Sequence, residues 1–282
     1  MNKADLYMKE SIENILKNGY KDINPRPKYS DGTPAHTISV NHVMRQYDLS
    51  KGEFPICTLR PMAWKTAIRE IFVIYQKPTN VIAEMEEMKV NWWGPWDIGD
   101  GTIGQRYGAT VKRYDLINKL INDIEKDPYG RRKVVSLWQE TDLQETPGLA
   151  PCAFLTVWNV RGEFLDMILI QRSGDMLTAS GPGGMNEIQY AALLMMIAKH
   201  TGYKPGVFSH LVVNEQIYDR HLEAADEMLR RFEEKASSEE EGPDPQIILD
   251  TDKTSFFDFT IDDFKILNYK AMKPQLKLDL GI

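Results

Sequence analysis

The apolar segment 185–200 constrains the fold more than any other part of the sequence. It is long enough for a helix, and apolar enough for that helix to be buried. Asn186 near its start and Gly202 just past its end are residue types that commonly begin and end helices. A chain of 282 residues can enclose such a helix in one hydrophobic core. The length allows one domain or two at most, and because the sequence shows no internal repeat and no independent second domain, we expect a single domain over residues 1–282.

The other hydrophobic segments divide into strand-like and helical patterns. Residues 152–158 and 164–170 flank a turn at Arg161 and Gly162, which predicts a hairpin with Cys152 at the start of its first strand. Further strands are predicted at 37–40, 133–138 and 207–218, and further helices at 4–17, 64–76 and 115–126. In the first of these helices, one face is expected to contain Leu6, Ile12, Ile15 and Leu16.

Two segments read as flexible connections. Residues 236–245 are acidic and contain glycine and prolines, so a mobile loop is expected there. Residues 181–184 are rich in glycine but lack the Lys-Ser/Thr ending of a phosphate-binding loop, so they predict a flexible turn.

Composition excludes several classes of protein. Two cysteines are too few for a disulfide framework or a cysteine-based metal site, and the five histidines lack metal-ligand spacing, so no metal is expected. A net charge of −7 argues against general nucleic-acid binding. There is no apolar run of about 18 residues, and the first 16 residues carry charges throughout. We therefore expect no membrane span, no signal peptide and a cytoplasmic location.

Cys152 is a candidate nucleophile. A cysteine at a strand edge is, taken alone, more often a small buried residue than a catalytic one. Arg172, however, follows the paired strand of the predicted hairpin. A guanidinium close to a thiol favours the thiolate, which is the reactive form.

Glu70 is the only acid in the middle of an apolar helical segment. An unpaired carboxylate is costly to bury, so this residue requires either a salt bridge or a role as an acid–base or water-orienting group with a raised pKa. The tryptophan-rich residues 92–96 also allow two interpretations. They form part of the core, which the residues alone favour, or a stacking wall for a flat heterocycle.

Seven segments in a characteristic order extend the argument to the whole chain. They are residues 30–37, 100–108, 127–132, 149–152, 171–175, 217–221 and 258–264. Together they resemble the thymidylate synthase family from the first helix to the C-terminus. The resemblance implies a single α/β (α+β) domain in which a large mixed sheet is covered by helices. It further implies a homodimer in which the flat faces of two sheets pack against each other.

The resemblance also assigns roles to particular residues. It implies that Cys152 is the nucleophile, that Glu70 organises water and protons, and that Tyr107 assists proton removal. The implied substrate-binding residues are Arg26, Arg172, Gln171, Ser173, Asn186, Gln216 and Tyr218, with Arg131 and Arg132 of the other subunit. The implied folate-binding residues are Trp93, Trp96, Asp175 and Ile282. The C-terminal residues 273–282 are expected to close over the folate.

The implied reaction transfers one carbon to a pyrimidine nucleoside monophosphate. Addition of the Cys152 thiolate to C6 turns the ring into an enolate, so C5 can attack the methylene carbon of 5,10-methylenetetrahydrofolate. After loss of the C5 proton and of the folate, an exocyclic methylene remains. Hydride from the folate gives a methyl group, as in the conversion of dUMP to dTMP, whereas water gives a hydroxymethyl group.

Three departures from the family pattern touch substrate choice. Residues 180–185 are inserted before Asn186, Gln216 replaces a histidine, and Gly94 replaces an acid. Two enzymatic activities therefore stay open: thymidylate synthase acting on dUMP, and a hydroxymethylase acting on CMP, dCMP or dUMP. A role in binding alone is disfavoured because Cys152, Arg172 and the other implied catalytic residues are present.

Overall fold

A computed structural model describes residues 1–238 and 242–282 of the chain. The α-helices are α1 (Lys3–Asn18), α2 (Trp64–Ile71), α3 (Ile82–Glu87), α4 (Gly108–Tyr114), α5 (Leu116–Lys126), α6 (Glu140–Glu145), α7 (Met185–His200) and α8 (Leu222–Ala236). The strands are β1 (Tyr20–Lys21), β2 (Thr37–Asp48), β3 (Val134–Ser136), β4 (Ala153–Arg161), β5 (Phe164–Gln171), β6 (Gly174–Asp175), β7 (Lys204–Tyr218), β8 (Gln246–Leu249) and β9 (Phe264–Leu267).

One large mixed sheet organises the domain. Its strands lie in the order β1-β2-β7-β5-β4-β3, with β6 paired to β7, and β8 and β9 form a separate small sheet. Strands β5 and β7 run parallel, while β4 and β5 form the antiparallel hairpin that the sequence predicts. This arrangement confirms the predicted α/β fold with a mixed sheet and helices.

Helix α7 is the central helix of the core, as its apolar sequence predicts. Most of its residues are buried, and it packs against α2, β5 and β7. Strand β5 alternates strictly between buried and partly exposed residues, so its odd-numbered side chains join the core beneath the helices. The core thus places the N-terminus of α7 beside the C-terminal end of β5, where Gln171 lies.

The other face of the sheet carries apolar side chains that stay partly exposed. Leu155 and Val157 of β4 pair with Ile170 and Ile168 of β5 and share this face with them. Met44 of β2 is 49% exposed. An apolar face of this kind is a surface on which another protein surface could pack.

A fully buried ionic cluster joins α7 to the sheet. The Arg45 Nε donates to Glu187 Oε1 over 2.7 Å, and its Nη1 donates to Glu215 Oε1 over 2.5 Å. His210 Nδ1 lies 2.9 Å from Glu187 Oε1, and the Tyr47 hydroxyl donates to Glu187 Oε2. Burial alone would raise the pKa of Glu187, but Arg45 and His210 outweigh it and lower that pKa to about 2. Glu187 is therefore an ionised group that fixes the first turn of α7.

Several expectations from the sequence need correction. In α1, Ile12 and Ile15 are buried, but Leu6 and Leu16 are 41% and 39% exposed, because they lie beside the buried stripe rather than within it. The segment 181–184 forms the predicted turn, but this turn is buried. Gly183 has a φ of 62°, and a Cβ there would lie 2.2 Å from the backbone nitrogen of Cys57, so the segment is packed against residues 56–57.

Two further expectations concern the acidic loop and membrane-spanning helices. The predicted acidic loop 236–245 begins at the end of α8, and residues 239–241 within it lie outside the described residues. In the two described ranges, none of the helices is both long and apolar enough to cross a membrane.

Replacing Arg45 with Met tests the importance of the ionic cluster. Because Glu187 and Glu215 would stay buried without a cation, we expect a loss of roughly 3–5 kcal/mol in the free energy of unfolding. The matched control is Arg161→Met, which removes an exposed ion pair with Asp166 and should cost at most about 1 kcal/mol. Urea unfolding followed by tryptophan fluorescence measures both. Equal losses in the two variants would contradict a structural role for the cluster.

Candidate active site

Cys152 lies immediately before β4, where its neighbours hold it against Arg172. The backbone nitrogen of Arg172 donates to the Cys152 carbonyl over 2.9 Å. The side chain of Arg172 donates from Nε to Pro151 and from Nη2 to Ala150, over 2.9 and 2.7 Å. Its Nη2 also lies 3.4 Å from Cys152 Sγ. The hairpin thus brings together the thiol and the guanidinium that the sequence predicts to be neighbours.

Two opposing effects act on the Cys152 thiol. Burial raises its pKa, and the positive charges of Arg172 and Arg26 oppose that increase. The net direction is upward, so the resting side chain is mainly the neutral thiol. Formation of the Cys152 thiolate therefore depends on stabilisation by the two guanidinium groups.

Glu70 has no ion-pair partner among the described residues, so the salt-bridge interpretation of this acid is wrong. Its Oε1 accepts hydrogen bonds from Trp92 Nε1 and Trp93 Nε1, over 2.8 and 2.6 Å. Its Oε2 accepts a hydrogen bond from Gln189 Nε2. Burial raises the pKa of Glu70 to about 7, although the three donors oppose the increase. Near neutral pH this side chain can therefore both take up and release a proton, as an acid–base group must.

A line of amide side chains leads from Glu70 along the N-terminus of α7. Asn186 Nδ2 donates to Gln189 Oε1 over 2.9 Å. Asn186 Oδ1 accepts from Ser180 Oγ over 2.9 Å and from Gln171 Nε2 over 3.2 Å. Asn186 is the one partly exposed residue between positions 181 and 190. Asn186 is therefore accessible from outside the core, although its neighbours in the chain are buried.

Tyr107 and the tryptophans form a wall beside Glu70. The Tyr107 ring meets Trp93 edge-on with ring centroids 5.0 Å apart, and Trp96 meets Trp93 at 5.6 Å. Trp93 is buried while Trp96 is partly exposed. Burial raises the pKa of Tyr107 well above its usual value, and the hydroxyl interacts with the backbone of Cys152. Tyr107 is therefore a neutral hydroxyl close to the nucleophile.

Three of the four arginines predicted to bind phosphate lie at the protein surface. Arg26, Arg131 and Arg132 are exposed, and their guanidiniums have no acceptor among the described residues. Arg131 and Arg132 lie on the turn between α5 and β3, and no hydrogen bond or ion pair in the described ranges links them to the Cys152 site. Ser173 is partly exposed next to Arg172. Within one chain, therefore, the structure groups Arg172 and Ser173 with Cys152 and places Arg26 near enough for its charge to act on the thiol, but it leaves Arg131 and Arg132 apart.

The predicted ribose-binding residues lie at the end of β7, and the predicted folate-binding residue Asp175 lies beside them in β6. Gln216 pairs with Asp175 between β7 and β6. Burial raises the pKa of the Asp175 carboxyl, and His221 Nδ1, 3.8 Å away, opposes the increase. Tyr218 is 5% exposed and packs edge-on against His221, with ring centroids 5.5 Å apart. Burial also raises the pKa of Tyr218 to about 12, so its hydroxyl stays neutral and can donate a hydrogen bond.

The C-terminal tail is closed onto the domain. Ile282 exchanges two backbone hydrogen bonds with Lys28, at 2.8 and 2.9 Å. The Asp279 carbonyl lies 2.8 Å from His221 Nε2, and its carboxylate lies 3.2 Å from Arg220 Nη1. Arg220 also stacks on the ring of Tyr29, 4.0 Å from its centroid. A cavity of about 550 Å³ is bounded by residues 28–30, 32, 278–280 and 282, so tail and loop share its walls.

Sequence reasoning missed several residues of this region. Gln189, Ser180 and His210 connect the amides to one another and to the ionic cluster, but as isolated polar residues they carry no motif. The detectable signal was a glutamine three residues after Asn186 in an otherwise apolar helix, since that spacing places both on one helical face. No group of three or more His, Cys, Asp or Glu side chains in the described ranges could hold a metal ion.

Comparison with known proteins shows that this fold and site are those of the one-carbon transferases. The family model described as Thymidylate synthase matches residues 6–282. The chain therefore belongs to the thymidylate synthase family.

Individual relatives agree over their whole lengths. A thymidylate synthase of Lactococcus lactis is 49% identical over 289 residues, covering 100% of both chains. One of Streptococcus pneumoniae is 48% identical with the same coverage. The solved structure of thermostable thymidylate synthase A from Bacillus subtilis superposes with a TM-score of 0.87, at 32% identity and 99% coverage of each chain.

The pH dependence of stability tests the environment of Glu70. Its pKa is raised by burial from 4.5 to about 7, so the folded protein holds a proton that the unfolded chain has lost between these values. This contribution to stability is complete below pH 4.5 and is lost as the pH rises through 7. It amounts to about 3 kcal/mol at 1.36 kcal/mol per pKa unit.

Glu70→Gln removes this titration. Between pH 4.5 and 8, the free energy of unfolding of the variant should decrease by about 3 kcal/mol less than that of the parent. Urea unfolding at several pH values provides the measurement. Glu163→Gln, which changes an exposed acid, is the control and should follow the parent. Parallel curves for Glu70→Gln and the parent would show that burial does not raise this pKa.

Proposed function

We propose that this enzyme converts dUMP to dTMP, with 5,10-methylenetetrahydrofolate as co-substrate and Cys152 as nucleophile. The observation that carries the assignment of residues is the contact between Cys152 Sγ and Arg172 Nη2, within a chain that matches the family over nearly its full length. Relatives at 48–49% identity over all of both chains bear the name thymidylate synthase, which favours the methyl product over the hydroxymethyl one.

Cys152 starts the reaction. Its sulfur bonds to C6 of the uracil ring, and the electron pair of the C5–C6 double bond moves towards C5 and O4. The thiol gives up its proton to water as the bond forms, and Arg172 and Arg26 stabilise the thiolate during this transfer. The resulting enolate makes C5 nucleophilic. When bound, the folate supplies the carbon that C5 attacks and, later, the hydride that completes the methyl group.

Glu70 and Tyr107 manage protons around the ring. With a pKa of about 7, Glu70 can hold a proton for O4 through ordered water and take it back as the enolate collapses. The neutral hydroxyl of Tyr107, next to the Cys152 backbone, assists removal of the C5 proton. Asn186 recognises the C4 carbonyl and N3–H of uracil, because an amide can both donate and accept.

Arginine forks bind the nucleotide phosphate. Arg26 and the Nη1 group of Arg172 have no acceptor among the described residues, so they are available for a phosphate. Ser173 adds a hydroxyl donor next to Arg172. Tyr218 donates to the ribose, and Gln216 hydrogen bonds there without the charge that a histidine could carry.

We assign the folate site to the aromatic wall beside Glu70 and to the C-terminal tail, residues 273–282. Trp96 offers a partly exposed ring beside buried Trp93, which suits stacking of a flat heterocycle. Asp175 provides a carboxyl for the pterin, and the neighbouring His221 Nδ1 is buried without a hydrogen-bond partner in the described structure. Ile282 closes the site by pairing with Lys28. A closed tail excludes water and so favours hydride transfer over hydroxymethyl formation.

The working unit is proposed to be a homodimer. The apolar sheet face that includes Leu155, Val157, Ile168 and Ile170 is partly exposed in one chain and suits a second copy. Arg131 and Arg132 have no acceptor in their own described chain, and we assign them to the phosphate of the partner's site. The enzyme is expected in the cytoplasm.

Trapping the covalent adduct tests the nucleophile. Cys152→Ser should fold like the parent, lose nearly all turnover and fail to form a covalent adduct with 5-fluoro-dUMP and methylenetetrahydrofolate. Mass spectrometry of the intact protein detects the adduct, and absorbance reports dihydrofolate. The mass of the nucleotide product is measured with dUMP, dCMP, UMP and CMP. Near-normal turnover in the variant, or a hydroxymethyl product without dihydrofolate from the parent, would contradict the proposal.

Mixing two inactive variants tests the shared site. Differently tagged Cys152→Ser and Arg131→Glu/Arg132→Glu chains are co-expressed, and the hybrid carrying both tags is purified. The hybrid should recover turnover that neither variant shows alone, because one of its two sites has an intact cysteine and intact arginines. The control mixes Cys152→Ser with Arg172→Glu, in which both changes affect the same site of a chain. Similar recovery in the control, or a monomer in sedimentation, would exclude the arrangement.

A further inference from the structure

The side chain of Gln189 stands between the two groups that handle the base. It is 2% exposed, donates from Nε2 to Glu70 Oε2, and accepts at Oε1 from Asn186 Nδ2 over 2.9 Å. Asn186 and Gln189 lie one helical turn apart on α7, so the contact is built into the helix.

Above its pKa of about 7, Glu70 is ionised, and its charge then fixes the direction of every hydrogen bond in this line. An ionised carboxylate can only accept, so the amide nitrogen of Gln189 must face it. The amide oxygen of Gln189 then faces Asn186, which must present its nitrogen. The oxygen of Asn186 is left for the donors Ser180 Oγ and Gln171 Nε2, at 2.9 and 3.2 Å.

The direction matters because uracil and cytosine present opposite patterns. Uracil has an acceptor at C4 and a donor at N3, whereas cytosine has a donor at C4 and an acceptor at N3. An asparagine that reads the base satisfies one pattern in one orientation and the other pattern when its amide is rotated by half a turn. A free asparagine could adopt either orientation at little cost, so asparagine alone discriminates weakly.

We infer that Gln189 is a positioning residue that holds the Asn186 amide in the uracil-reading orientation by relaying the fixed polarity of Glu70. This inference rests on the proposed function, in which Asn186 reads the base. Gln189 itself does not touch the nucleotide. The groups that face Glu70 are Trp92, Trp93, Gln189, Tyr107 and Tyr190, none of which carries a charge that could set a competing polarity.

Two variants at position 189 distinguish a side chain that sets the orientation of the Asn186 amide from one that only fills space. Gln189→Met keeps the length of the side chain but removes the acceptor for Asn186. Gln189→Glu keeps an acceptor for Asn186. Dissociation constants for dUMP and dCMP are measured by calorimetry at pH 8 without folate, and selectivity is the ratio of the two constants. The parent should prefer dUMP.

Gln189→Met should reduce this selectivity by about tenfold, the size expected for one hydrogen bond in a buried site. Gln189→Glu should retain the selectivity. The matched control is Gln76→Met, which removes a buried glutamine that donates to the backbone of Phe256 and Phe259, outside the relay. It should leave the selectivity unchanged, whatever it does to stability.

A third variant covers the case in which Gln189→Met does not fold. Glu70→Gln removes the ionised acceptor, so the relay loses its direction and selectivity should also fall by about tenfold. Unchanged selectivity in a folded Gln189→Met, in Glu70→Gln, or an equal preference for both nucleotides in the parent would overturn the inference. If the parent forms no adduct through Cys152, the proposed function has failed instead. If the parent is active but the selectivity of the variants is unaltered, the role of Gln189 is rejected while the proposed function stands.

Discussion

The ion pair between Arg45 and Glu187 is the constraint on which the rest of the site depends. Both side chains are almost completely buried, so separating them would leave a charge in the core, at a cost far above that of an exposed pair. The pair joins the first turn of α7 to β2, and His210 extends the connection to β7 and to Gln171 at the end of β5. The N-terminus of α7 therefore has one position relative to the sheet.

That position determines the chemistry. Because the start of α7 is fixed, its polar residues meet Gln171 and Glu70 at hydrogen-bonding distance. Arg172 follows Gln171 at the end of β5 and contacts Cys152, which lies immediately before the neighbouring strand β4. A buried ionic cluster thus supports the candidate site, in which we propose that Asn186 reads a planar base in one orientation. The same sheet leaves an apolar face on its opposite side, so the proposed dimer contact and the candidate active site use the same strands.

Much of this could be read from the sequence. The helix α7 and the hairpin beside Cys152 and Arg172 were predicted, because each depends on local periodicity or turn residues. The α/β fold with a mixed sheet was implied by the family resemblance. The ordered motifs led to the family. The exposure of Leu6 and Leu16 and the buried packing of residues 181–184 were not predicted, because both depend on which neighbouring segment covers a residue. The hydrophobic pattern of a sequence does not show a small rotation of a helix about its axis. Nor does it show that a glycine lets two segments of backbone pack closely.

Residue types and their order were enough to predict most of the elements and the family, and they nominated candidate reactive residues. Only the tertiary structure decided what surrounds Glu70. The sequence left open a salt bridge or a raised pKa, and the fold supplied two indoles and an amide in place of a cation. Tertiary structure likewise brought Gln189 between Glu70 and Asn186. The physical reason is that a pKa and the direction of a hydrogen bond depend on atoms within a few ångströms, and those atoms come from segments far apart in the chain.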